Sequence, residues 1–237
     1  MLRMNSGFNW KSLLILKMFE KYYKKYWNML SKPIPKPKKL FIDPDWRMKS
    51  SAPSTKIGKE WLSYLKNVDS VLDYGGGSRL TGKMLENVGW KGSYEIVDMA
   101  DDAQPEYKSL KEVNKIYDMV ICMQVIEHMY FEEFLEFIPN LTSKLKSGEI
   151  LVIGSDHPAH PGHLWNVEMG HVKAYPYHNL HQYLQMNNLY YQDSKIILQY
   201  LDTPRIFNYL LYYLRKTLCS ILGISPYLSY IIFIVKK

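Results

Sequence analysis

The chain has 237 residues, 47% of them apolar, two cysteines and a formal net charge of +7. That length and apolar share supply one sizeable α/β-type core with appendages, and they exclude a disordered polyelectrolyte. Two cysteines exclude a disulfide framework, and no uninterrupted apolar run is long enough to cross a bilayer. A secretory leader is not expected either, because Lys17 splits the first apolar stretch and no small-residue cleavage site follows, so the expected compartment is the reducing cytoplasm.

The charge is uneven along the chain. Residues 1–50 hold 12 lysines and arginines against 3 acids, and residues 202–237 hold 5 against 1, which leaves the middle of the chain acidic. From Phe8 to Leu30, helical spacing puts Ile15, Phe19, Tyr22, Tyr26 and Leu30 on one face, with Lys17, Lys21, Lys24 and Asn28 on another. Such a helix can lie on an anionic membrane surface, or it can pack over the domain with its lysines in solvent. Ser31 to Leu40, SKPIPKPKKL, cannot be helical and is expected to run extended. Residues 1–40 thus read as an appendage to a domain at 41–237.

An apolar run at 69–74 then enters Asp73-Tyr74-Gly75-Gly76-Gly77, and helical spacing follows at 79–88. This predicts a buried strand, a tight glycine turn and a helix. Gly75 and Gly77 would let backbone approach a nucleotide-like cofactor closely at the carboxyl edge of a sheet. A dinucleotide fingerprint fails, because its third glycine position holds Leu80. A second strand at 93–98 ends in Asp98, 21 residues after Gly77, where a carboxylate can accept hydrogen bonds from both hydroxyls of a ribose. A third strand is expected near 106–110 and further strands at 117–123 and 149–155, with helices at 128–146 and 176–188. The last strands are placed at 189–201 and 227–236, with a helical insertion at about 204–224 between them. Alternating strands and helices imply a parallel sheet covered on both faces.

Four of these segments resemble motifs of class I S-adenosylmethionine-dependent methyltransferases of the small-molecule type. Residues 73–79, DYGGGSR, resemble the first motif, D/E-x-G-x-G-x-G, with Arg79 in place of the last glycine. SYEIVDM at 93–99, YDMVICMQVIEHM at 117–129 with its Glu127-His128 pair, and LKSGEILVIGSDHP at 145–158 are similar to later motifs in order. The resemblance runs from about residue 56 to 201, and Ile231 to Lys237 resembles the closing strand. It implies a Rossmann-like doubly wound sheet, mostly parallel with an antiparallel last strand, and S-adenosyl-L-methionine as cofactor. The residues implied for cofactor binding are Asp73, Gly75, Gly77, Asp98, Asp102, Cys122 and Gln124. Asp102, with Asp101, would face the adenine amino group, while Gln124 lies just past a strand end, where side chains face the reacting centre. His128 is expected to order the site rather than to act as base.

All seven histidines lie between 128 and 181. His157, His160 and His163 follow the fifth strand in DHPAHPGHLWN, and the resemblance puts this loop over the acceptor side. One of them could take a proton from an acceptor hydroxyl during transfer. Prolines at 158 and 161 keep the three off one helix face, and no metal is expected. The expected activity is methyl transfer to a small or glycan-like acceptor, on oxygen. Membrane contact through residues 8–30 would instead suit a lipid or quinone acceptor. The basic arms would suit RNA, but Cys122-Met123-Gln124-Val125 lacks the Asp/Asn-Pro-Pro-aromatic signature of base-amine methylation, so nucleic acid is not the expected partner. A non-catalytic cofactor-binding module is a further alternative.

Overall fold

The computed structural model describes residues 64–156 and 169–187, strand segments at 38–42, 189–190, 195–199 and 229–236, the helical stretch 217–222, and residues 17, 20 and 214. Four strands form the parallel part of the main sheet: β2 (Ser70–Tyr74), β3 (Ser93–Val97), β4 (Tyr117–Met123) and β5 (Leu145–Asp156). They lie in the order β3-β2-β4-β5. Beyond β5, β8 (Ser229–Lys236) pairs antiparallel, and the short β6 (Leu189–Tyr190) pairs antiparallel with β8. A separate two-stranded parallel sheet joins β1 (Lys38–Ile42) to β7 (Lys195–Gln199).

Alternation along the strands divides the core between the two faces of the sheet. Val71, Met119, Ile121 and Val152 point to the face covered by α1 (Leu80–Asn87). Leu72, Val120, Cys122, Leu151 and Ile153 point to the other, among residues of α2 (Phe131–Ser143) and α3 (Tyr177–Met186). Central strands buried on both faces need continuous apolar runs, and VICM at 120–123 and LVI at 151–153 supply them.

Two details depart from the sequence reading. The strand expected near 106–110 is a single bridge, Val97 to Tyr107. Pro105 has no N–H to offer a ladder, and the Glu106 side chain, rather than a neighbouring backbone, accepts the Ile96 N–H at 2.8 Å. The Leu-Lys-x-Gly turn lies inside β5 as a bulge. Pairing jumps from Tyr117–Leu145 to Met119–Ile150, and Gly148 takes the positive φ of 84° that this irregularity needs.

The strand order reverses between β3 and β4 around β2, so a crevice opens at the carboxyl ends of these strands, the place where open α/β sheets bind ligands.

Candidate active site

The glycine turn after β2 is held from two sides. Gly75 donates its N–H to Val97 O at 2.8 Å, and Gly77 donates its own to Asp98 Oδ2 at 2.9 Å. Gly75 has φ 75° and Gly77 has φ 45°, left-handed values that suit glycine. A Cβ at Gly75 would sit 2.4 Å from Val125 Cγ2, which puts the turn after β4 directly against the turn after β2. A Cβ at Gly76 would strike Ile96 at 2.6 Å. At Gly77 it would meet nothing closer than the Gly75 carbonyl oxygen at 4.0 Å, so space is open above that residue.

Arg79 also lies in the left-handed region, at φ 58°. An arginine thus takes a conformation more usual for glycine at the position where the motif has one. Its guanidinium is tied to Gln104 O at 2.8 Å and to Glu106 Oε1 at 2.7 Å. Close helix–strand packing falls to Gly82 instead, where a Cβ would lie 2.7 Å from the Tyr94 ring. The Tyr94 hydroxyl donates to Asp73 Oδ2 at 2.6 Å. Burial, and then the Asp73 charge, push that hydroxyl's pKa far up, so it stays a donor. Asp73, buried under the turn, is thus committed to internal bonding.

Asp98 stands at the end of β3, half-buried, with Oδ2 taking the Gly77 N–H and Oδ1 taking the Ala100 N–H at 2.9 Å. Two N–H bonds fix the carboxylate and leave it acceptor capacity for two further donors. Asp102 is exposed on the short turn that follows, next to Asp101, which pairs with Lys108. Cys122 lies near the end of β4. It is fully buried in the core, and burial, followed by the charges of Glu127 and Asp73, pushes its thiol pKa up, so the side chain has no surface to offer a ligand.

Past β4, Gln124 has φ 57° and donates its backbone N–H to Gly154 O at 3.0 Å. With its amide nitrogen turned toward the acids, it donates to Glu127 Oε1 at 2.8 Å and Asp156 Oδ1 at 2.9 Å. Glu127 is fully buried and Asp156 nearly so, which makes this amide the tie between two sequestered carboxyl groups. The following 3-10 turn, Ile126–His128, anchors a distant segment: Val172 and Lys173 both donate N–H to Glu127 O, at 2.9 and 3.2 Å. His128 Nδ1 lies 3.0 Å from Gly170 O, and the His128 and His171 rings meet edge to face at 4.8 Å. Glycine spacing and strand ends made the turn at Gly75–Gly77 and the strand end at Asp98 readable in the sequence. The pairing of His128 with His171 across 43 residues left no local signal. Tyr175 precedes α3 and donates to Met129 O at 3.1 Å, and His178 lies in the helix's first turn. His157, His160 and His163 lie outside the described residues.

A methyltransferase domain family model matches residues 43–193, well over half of the chain. The chain belongs to this methyltransferase family. Solved structures agree in fold. A SAM-dependent methyltransferase from Archaeoglobus fulgidus is 19% identical with a TM-score of 0.58, covering 75% of this chain and 90% of its own. One from Mesorhizobium loti is 12% identical with a TM-score of 0.52, covering 79% and 99%. Another from Clostridium acetobutylicum is 11% identical with a TM-score of 0.52, covering 92% and 98%. Comparison with curated proteins finds no match.

Class I methyltransferases take their methyl group from S-adenosylmethionine, and the residues at this edge fit that cofactor. Open space over Gly77 leaves room for close approach, and the pinned carboxylate of Asp98 has acceptor capacity for a ribose. Among the described residues, a depression of about 350 Å³ lies at the opposite, amino edge of the sheet, lined by Leu65, Asp69, Trp90 and Gly92, away from these groups. No helix among the described residues is long and apolar enough to cross a membrane.

Proposed function

We propose that this chain moves a methyl group from S-adenosylmethionine to an oxygen of a small or glycan-like acceptor. The observation that carries the cofactor half is the Asp98 carboxylate, held by the Gly77 and Ala100 N–H groups beside an open glycine turn. The bound cofactor supplies an already activated sulfonium methyl. Asp98 would accept the ribose hydroxyls, and the turn at Gly75–Gly77 would lie against the cofactor. The Val125 side chain braces that turn from the β4 side. Such a site works chiefly by positioning, which can supply a large part of the rate. An oxygen nucleophile gains from a base, and one of His157, His160 or His163 is proposed to take its proton.

Calorimetry tests the cofactor half. The parent chain should bind S-adenosylmethionine, and Asp98→Ala should weaken binding by about 1–3 kcal/mol, the range for lost hydrogen bonds to a charged group. Equal affinity in the variant, or no binding by the parent, would overturn the assignment. Transfer of labelled methyl to cell extracts, with mass spectrometry of the product, tests the acceptor; a methylated nitrogen or carbon would refute the oxygen reading.

A second reading has one observation in its favour. Leu214, Leu218, Ile221 and Leu222 are exposed at helical spacing in a basic part of the chain, as a face resting on a membrane would be. An acceptor of lipid or quinone type would then be expected, and co-sedimentation with anionic vesicles separates the two.

A further inference from the structure

The geometry points to a site for one divalent transition-metal ion formed by Glu127, His128 and His171, next to the methyl-donor crevice. One ligand atom from each of the three side chains lies within 4.8 Å of the others. Two imidazoles and one carboxylate are a ligand set that zinc, manganese and ferrous iron share, and three protein ligands leave coordination positions open. Donors around a common ion at roughly 2.1 Å are at most about 4.2 Å apart, so side-chain adjustment of less than an ångström or so closes the set.

The surroundings are those of a held site. His128 Nδ1 faces Gly170 O at 3.0 Å, and a carbonyl in that position fixes the tautomer and makes Nε2 the ligating nitrogen. Gln124 orients the Glu127 carboxylate from behind and is itself bonded to Asp156. The two N–H bonds from Val172 and Lys173 to Glu127 O hold the 170–173 segment on the 3-10 turn, and thereby bring His171 to His128. The location matters as well. Val125, two residues before Glu127, abuts Gly75 of the cofactor turn, so an ion here sits at the same sheet edge as the methyl donor.

The ion's part in transfer rests on the methyl transfer proposed above; the binding site itself does not. An ion with open positions would bind an acceptor through two neighbouring oxygens, as in a vicinal diol or a hydroxy-ketone. It lowers the pKa of the bound hydroxyl, whose proton passes to the base proposed above. The oxygen lone pair then forms the new C–O bond as the C–S bond breaks and its electron pair stays on sulfur.

The test needs no substrate. Purified, chelator-treated full-length chain is titrated with Co2+, Zn2+ and Mn2+, read by calorimetry and by the visible absorption of Co2+. One equivalent should bind. His128→Ala and His171→Ala should each abolish the Co2+ spectrum, and Gln124→Leu should weaken binding by about 10–100-fold, as loss of a supporting group does. Replacing His157, His160 and His163 together by alanine should leave affinity unchanged. Parent chain that binds none of the three ions below millimolar levels would overturn the site. So would a His157/His160/His163 variant that loses the metal while the His171 variant keeps it. Because S-adenosylmethionine binding is measured separately, metal failure with cofactor binding intact removes only this site.

Discussion

Arg79 carries a left-handed backbone at the position where the motif has glycine. A left-handed backbone costs an L-residue about 1–2 kcal/mol, and here the two contacts of its guanidinium, to Gln104 O and Glu106, offset it. Arg79→Ala should therefore destabilise the chain, since it keeps the strained φ and loses both contacts. Arg79→Gly should be nearly neutral, because relief of about 1 kcal/mol compensates for them. Urea denaturation of the pair measures the difference; equal stability of the two variants would mean that the strain is not real. The Gly-Gly-Gly run was legible as a turn, yet which glycine does what was not. Gly75 yields to Val125, Gly76 to Ile96 and Gly82 to Tyr94, neighbours that are 50, 20 and 12 residues away in sequence.

Each element boundary reflects local chemistry that periodicity anticipates only in part. Helix α2 starts at Phe131, with the Glu133 carboxylate accepting the Tyr130 N–H at 2.8 Å, three residues later than the apolar pattern suggests. Helix α3 buries His181 completely. Burial, then the charge of His178, pull the His181 pKa from its ordinary 6.5 down to about 4. The unfolded chain takes up a proton that the folded chain refuses in this interval. Stability is thus complete above about pH 6.5 and is lost as the pH falls toward 4. The parent should lose about 2 kcal/mol more than His181→Leu between roughly pH 7.5 and 5, because each pH step below the ordinary imidazole value costs about 1.4 kcal/mol. Parallel pH–stability curves for the two proteins would refute a neutral buried imidazole.

Across the whole molecule, the two edges of the sheet have separate duties. The carboxyl edge holds the turns, Asp98 and the Gln124–Glu127–Asp156 set. At the amino edge, Asp118 ties β4 to the start of β2. Its Oδ2 accepts the Ser70 hydroxyl at 2.7 Å and the Ser70 and Asp69 N–H groups at 2.9 and 3.1 Å, and Lys146 pairs with Oδ1. Burial would raise this carboxyl's pKa, but the bonds from Lys146, Ser70 and Asp69 outweigh it and hold it below the ordinary range. Asp118→Ala should cost about 1–3 kcal/mol of stability, since it leaves several donors without their acceptor, while S-adenosylmethionine affinity is unchanged. A calorimetric loss of cofactor binding would mean that the edges are coupled.

Apolar runs and helical spacing marked the strands at 70–74, 93–97 and 117–123 and the helices α1, α2 and α3, because burial on both faces of a sheet writes itself into local composition. Acids and glycines at strand ends marked the turn after β2 and the end of β3, where Asp73, Gly75, Gly77 and Asp98 stand. The residues 106–110 looked like a strand but became one bridge, since Pro105 and the Glu106 side chain take over the edge. Cys122, in the apolar run of β4, is fully buried in the core. Only the assembled sheet brought Glu127 and His128 to His171 and set Val125 on Gly75. Contacts of that kind depend on how β4, β5 and the segment before α3 converge, and convergence in space leaves no period in the chain.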